Sequence, residues 1–104
     1  MRAEHIPLLA SHFRALAEPA RLRLLAALRA GEMAVSELVT ATGLGQANAS
    51  KHLNKLYETG FVTRRKEGLF VYYALNDRDI MKLCELMSGR IETNGTRRRK
   101  KLGD

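Results

Sequence analysis

Residues 35–57 read VSELVTATGLGQANASKHLNKLY, and two helical patterns meet in this stretch at a glycine-containing break. The first sets Val35, Leu38, Val39 and Leu44 at helix-like intervals, with Ser36 placed to cap it and Glu37 in a favourable first-turn position. In the second, Ala49, Leu53 and Leu56 follow i, i+4, i+7 and form a narrow core-facing stripe. Asn48, Ser50, Lys51, His52 and Lys55 take the rest of the circumference, so this helix is polar over most of its surface. Short hydrogen-bonding side chains mixed with cations are the chemistry that reads base edges and grips phosphates. A helix-turn-helix accounts for the pattern, and so does a solvated helix in an ordinary helical domain.

Downstream, Gly60 closes the second helix and the apolar period changes from 3.6 to 2. FVTRRKEGLFVYYAL predicts a hairpin, with strands Phe61–Lys66 and Leu69–Leu75 joined through a Glu67-Gly68 turn. Arg64, Arg65 and Lys66 precede its tip, where a cationic ribbon beside a polar helix would reach phosphate or the minor groove. Cations also protect edge strands from aggregation, which is the plainer account of the same three residues. Asp77 is placed to cap a last helix whose Ile80, Leu83, Leu86, Met87 and Ile91 make a continuous apolar stripe.

Upstream, Ile6, Leu9, Phe13 and Leu16 give a first helix one apolar edge, with Pro7 acceptable in its first turn. Pro19 starts a second helix that Leu22, Leu24, Leu25 and Leu28 fill until Gly31, so apolar residues nearly surround it and mark it as the central core element. Arg21, Arg23 and Arg29 then fall on its exposed side. His5 and His12 lie two turns apart, about 10 Å along the axis, too far for one metal ion without other ligands; solvated or interface histidines are the simpler reading. The surplus apolar edges of the first and last helices predict a homodimer through those two elements.

Composition narrows the function. The 104-residue chain carries a formal net charge of +7, with 45% hydrophobic and 6% aromatic residues and no Trp, which suits a single domain of packed helices that binds anions. Arg97 to Lys101 supply five of the positive charges, so the body is only mildly basic. The excess is local: Lys51, Lys55, Arg64, Arg65 and Lys66 stand against the single acid Glu58. One cysteine, Cys84, excludes an intramolecular disulfide and fits a reducing, cytoplasmic setting, and no segment approaches the ~18 apolar residues of a membrane span. There is no paired-carboxylate motif, phosphate loop or nucleophile elbow to support an enzyme. The expected fold is mainly α with a two-stranded β-wing (α+β), a winged helix-turn-helix of order α-α-α-α-β-β-α over residues 1–92, followed by a basic disordered tail at 93–104.

On these residues the chain resembles the ArsR/SmtB family of bacterial transcriptional repressors across roughly residues 6–92. LAEPARLRLLAAL is similar to the family's opening run. SELVTATGLGQANASKHLNKLYETGFV resembles its helix-turn-helix, with the Ser-x-His-Leu core at Ser50, His52 and Leu53, and RRKEGLFVYYAL resembles its wing. The resemblance implies a homodimer that places Gln46 to Lys55 in successive major grooves of a pseudo-palindromic operator, represses transcription and leaves DNA when an inducer binds. The DNA-binding set implied is Gln46, Asn48, Ser50, Lys51, His52, Lys55, Arg64, Arg65 and Lys66. A winged-helix protein-interaction module, or a repressor needing no inducer, is the alternative.

The family's sensory sites are not matched. Ser36 to Thr42 contains no cysteine for a thiolate metal site. The positions of a last-helix zinc site correspond to Asp77, Asp79, Arg90 and Thr93, two of which do not ligate zinc. The second-helix partner of a dithiol corresponds to Ala26. No cofactor is therefore expected. Cys84 reads either as a small buried hydrophobe or as a sensor thiol at the dimer interface, open to oxidation or a thiophilic metal.

Overall fold

The computed structural model describes the backbone of residues 1–101 and the side chains of residues 1–94. A 3-10 turn, Ala3–His5, leads into α1 (Ile6–Leu16), followed by α2 (Pro19–Ala27), β1 (Met33–Ala34), α3 (Val35–Thr42), α4 (Gln46–Glu58), β2 (Val62–Glu67), β3 (Phe70–Leu75) and α5 (Asp79–Lys101). This is a winged helix-turn-helix. Leu24 and Leu25 of α2 and Leu28 of the 3-10 turn that follows it (Leu28–Ala30) form one core with Leu38 of α3, Leu53 and Leu56 of α4, Val62 of β2 and Tyr73 of β3. Burial of these side chains fixes the angle at which α4 leaves the body. Leu22, by contrast, is exposed, so α2 is not surrounded by the core: it buries Ala20, Leu24 and Leu25.

Glycine and side-chain caps set the break between α3 and α4. Glu37 reaches back so that its Oε1 accepts from Ala34 N at 2.8 Å, which satisfies a donor ahead of α3 without help from Ser36. Gly43 ends α3 at φ +73 and donates to Val39 O, a left-handed cap that costs glycine little. Asp77 meets its predicted role, its Oδ1 accepting from Asp79 N at 2.8 Å.

Three details depart from the sequence expectation. The loop after Gly31 contains β1, whose Met33 and Ala34 pair antiparallel with Tyr73 and Tyr72, giving a three-stranded sheet of order β1-β3-β2. Two residues are too short to show a period. The hairpin turn is Gly68-Leu69 rather than Glu67-Gly68, because Glu67 pairs with Phe70 and Gly68 takes the first turn position at φ +59 with no positive φ at Leu69, the pattern of a type II′ turn. Lastly, α5 runs to Lys101, past Thr93, where an unstructured tail was expected. Arg and Lys favour helix and no proline intervenes before Lys101; residues 102–104 lie outside the described residues.

Candidate nucleic-acid interface

Helix α4 is capped by Gly45 in an extended conformation and turns Ala49, His52, Leu53 and Leu56 into the body. At 100° per residue, Gln46, Ser50 and Tyr57 fall on the flank facing the hairpin, Lys51 points outward, and Asn48 and Lys55 lie on the opposite flank. All six are exposed. The sequence-predicted contacts Gln46, Asn48, Ser50, Lys51 and Lys55 thus share one continuous polar surface.

His52 does not join them. It is 7% exposed, because position i+3 from Ala49 belongs to the core-facing arc as much as i+4 does. Its Nδ1 lies 3.2 Å from Arg21 Nη1 on α2. The same guanidinium donates to Ala15 O at 2.5 Å and to Arg14 O at 3.4 Å, so one side chain joins the end of α1, α2 and α4. Arginine has no acceptor, which assigns Nδ1 as the lone-pair nitrogen of a neutral ring. Burial lowers the His52 pKa first, the Arg21 charge lowers it further, Glu18 opposes and Lys51 adds to the depression. His52 is therefore a buried positioning residue, and Arg21, expected on an exposed face, is its partner.

The ladder sorts the wing cations onto two faces. Arg64 and Lys66 stand opposite Tyr73 and Val71, on the side turned toward α4, while Arg65 and Glu67 stand opposite Tyr72 and Phe70 on the other side. Arg64 places its guanidinium 4.0 Å from the Tyr57 ring centroid, and hydrogen bonding to Tyr73 raises its pKa. Arg65 is committed elsewhere. Its Nε and Nη2 donate to Glu32 at 2.8 and 2.7 Å, its Nη1 to Glu67 at 2.6 Å, and it lies over the Tyr72 ring. The Arg65 hydrogen bond pulls Glu32 below the usual carboxylate range, so this fork stays ionised on both sides. Arg65 is thus an exposed cation that already shares three of its five N–H donors with Glu32 and Glu67, unlike Arg64 and Lys66.

Between α4 and the hairpin runs a groove. Tyr57, Arg64, Arg65, Lys66 and Tyr73 line one end, Val35, Ser36, Gln46, Ser50, Leu69 and Phe70 the other, and Val71 lies in both parts. Sequence reasoning found the cations of this groove and missed its aromatic and apolar walls. Away from it, Cys84 is partly buried, and burial first and Glu85 second raise its thiol pKa. His12 packs edge-on against Phe61 at 5.5 Å, while His5 is exposed in the 3-10 turn. Among the described residues no three His, Cys, Asp or Glu side chains gather in a way that could hold a metal, and no helix is long and apolar enough to cross a membrane.

The family model described as bacterial regulatory protein, arsR family, matches residues 18–64, which run from the start of α2 to Arg64 of the wing. A probable mercury resistance operon repressor of Streptomyces lividans is 38% identical over 77 residues, covering 74% of this chain and 62% of that protein. A transcriptional repressor SmtB homolog of Synechocystis is 39% identical over 75 residues, covering 72% and 57% respectively. The chain therefore spans less than two thirds of the length of these curated relatives. Among solved structures, a homodimeric winged helix-turn-helix DNA-binding domain from Mycobacterium bovis, described as a possible ArsR-family transcriptional regulator, superposes with a TM-score of 0.76 at 34% identity, covering 86% of this chain and 83% of that one.

Proposed function

Because this chain belongs to the arsR family of bacterial regulatory proteins, whose named relatives are regulators and not enzymes, we propose that it binds double-stranded operator DNA as a homodimer and represses transcription. The observation that carries this reading is the exposed polar surface of α4 lying beside the cationic groove of Arg64 and Lys66. Gln46, Asn48 and Ser50 supply hydrogen bonds at base-edge height in a major groove, and Lys51, Lys55, Arg64 and Lys66 neutralise phosphates alongside. The copies join through α1 and α5, where Ile6, Leu8, Phe13, Leu86, Met87 and Ile91 are exposed in the single chain. Two-fold symmetry then presents two α4 helices to a pseudo-palindromic operator.

An inducer acting on the α1 and α5 faces would change the spacing of the two α4 helices and release the DNA. We read Cys84 as a packing residue rather than the sensor, since a raised thiol pKa keeps it protonated and poorly nucleophilic in the cytoplasm. Selection of bound sequences from random duplex DNA tests the proposal. It should enrich a dyad with half-sites about 10 bp apart or a multiple of that, and Asn48→Ala should change which sequence is enriched. Failure to enrich any site would refute it. The selected duplex then serves a release screen with metals and oxidants, in which Cys84→Ala should respond as the parent protein does.

A further inference from the structure

The wing ends in an apolar point. Leu69 is 96% exposed and Phe70 56% exposed, at the tip of a hairpin that otherwise carries cations. Leu69 lies in the turn, beyond the last ladder pair Glu67–Phe70, while Phe70 is the first residue of β3 with its ring 6.4 Å from that of Tyr72. Both border the same groove as Gln46 and Ser50, so whatever α4 touches passes beside this tip. Arg64 and Lys66, behind it on the α4 side, select a polyanion.

Shape decides what the tip can enter. Strands stand about 4.8 Å apart before side chains are added, so the ribbon as a whole cannot enter a minor groove about 6 Å wide. A single side chain at a two-residue turn can. From this geometry, and resting on the operator-binding proposal, we propose that Leu69 is a minor-groove wedge that partly unstacks one base step on the outer side of each half-site. The cost of unstacking is lowest at pyrimidine–purine steps, so the wedge adds a preference for TA or CA/TG at a position α4 does not reach.

The test uses the 104-residue chain, the selected duplex, and 2-aminopurine placed in turn at each step flanking a half-site. The parent protein should raise the fluorescence at one flanking step per half-site. Leu69→Ala should abolish that rise and weaken binding about tenfold with an unchanged salt slope, because no phosphate contact is lost. Leu69→Met should restore both signals by keeping length and apolarity. Thermal melting of both variants should match the parent, as the side chain has no packing to lose. Equal affinity and equal fluorescence for parent and Leu69→Ala would overturn the wedge while leaving operator binding intact. A Leu69-dependent change in sedimentation mass without DNA would also overturn it, assigning the tip to a second copy of the chain. If the parent binds no duplex at all, the operator reading falls first and the wedge with it.

Discussion

Removing Arg21 should loosen α4 without touching any surface residue. The guanidinium is half-buried, spans three acceptors on two other helices, and is the partner of a ring nitrogen of 7%-exposed His52. In Arg21→Ala the His52 Nδ1 becomes a buried acceptor with no donor, a cost of ~1–3 kcal/mol, and the charged bond to Ala15 O is lost as well. Together these put the destabilisation at ~3 kcal/mol, a fall in melting temperature of roughly 15 °C for a domain of this size. Arg21→Lys should recover only part, since one ammonium cannot reproduce a planar fork bridging three acceptors. Arg21→Met combined with His52→Leu removes both partners and should be clearly more stable than Arg21→Ala alone.

The same pair sets a pH dependence. His52 has its pKa depressed in the folded state, so between that value and the unfolded value near 6.5 the unfolded chain binds a proton that the native chain does not. Stability is therefore fully present above about pH 6.5 and falls as the pH drops toward the folded pKa. His52→Gln should flatten this loss between pH 7.5 and 5. Ring-proton titration by NMR and thermal melts across that range provide the measurement. A His52 ring that titrates at or above the ordinary histidine value, together with an unchanged melting temperature in Arg21→Ala, would refute the reasoning.

Glu32→Gln should free part of Arg65 for phosphate, raising affinity for any duplex and steepening the salt slope, whereas Arg65→Ala should weaken DNA binding less than Arg64→Ala or Lys66→Ala; gel shifts over a salt series check both. Ile91→Glu places a charge on the exposed stripe of α5, and sedimentation should show a monomer that has lost most of its operator affinity while keeping its helical circular dichroism.

Much of the fold was readable because each element carries its own period and its own stops. The stripe Ala49, Leu53, Leu56, the Gly43 break, the Asp77 cap and the Val- and Tyr-rich strands are local signals, and local signals survive without coordinates. The errors share one physical cause. His52 looks like a surface group because it is polar, yet it is buried against Arg21, 31 positions away; Arg65 does stay at the surface, but its ion pair is with Glu32, 33 positions away. No spacing within one helix or one strand reports such a partner. The β1 strand failed for the same reason, since two residues become a strand only by pairing with Tyr72 and Tyr73. Moving the turn by one residue had the largest consequence, because it placed Leu69 rather than Glu67 at the wing tip.

Pairing also changes what the basic charge can do. The stretch from Lys51 to Lys66 holds five cations, but Glu32 and Glu67 engage Arg65, leaving Lys51, Lys55, Arg64 and Lys66 for phosphates. A dimer would then neutralise about eight phosphates, so log affinity should fall against log salt with a slope near −7. The five tail cations from Arg97 to Lys101 would add to this only if they also reach DNA. Comparing the full chain with one ending at Asn94 separates the two contributions: a slope near −7 in the shorter chain supports the sorting of wing cations by face. A shorter chain with a slope near −2 would refute it, since surface proximity to α4 would then not translate into phosphate contact.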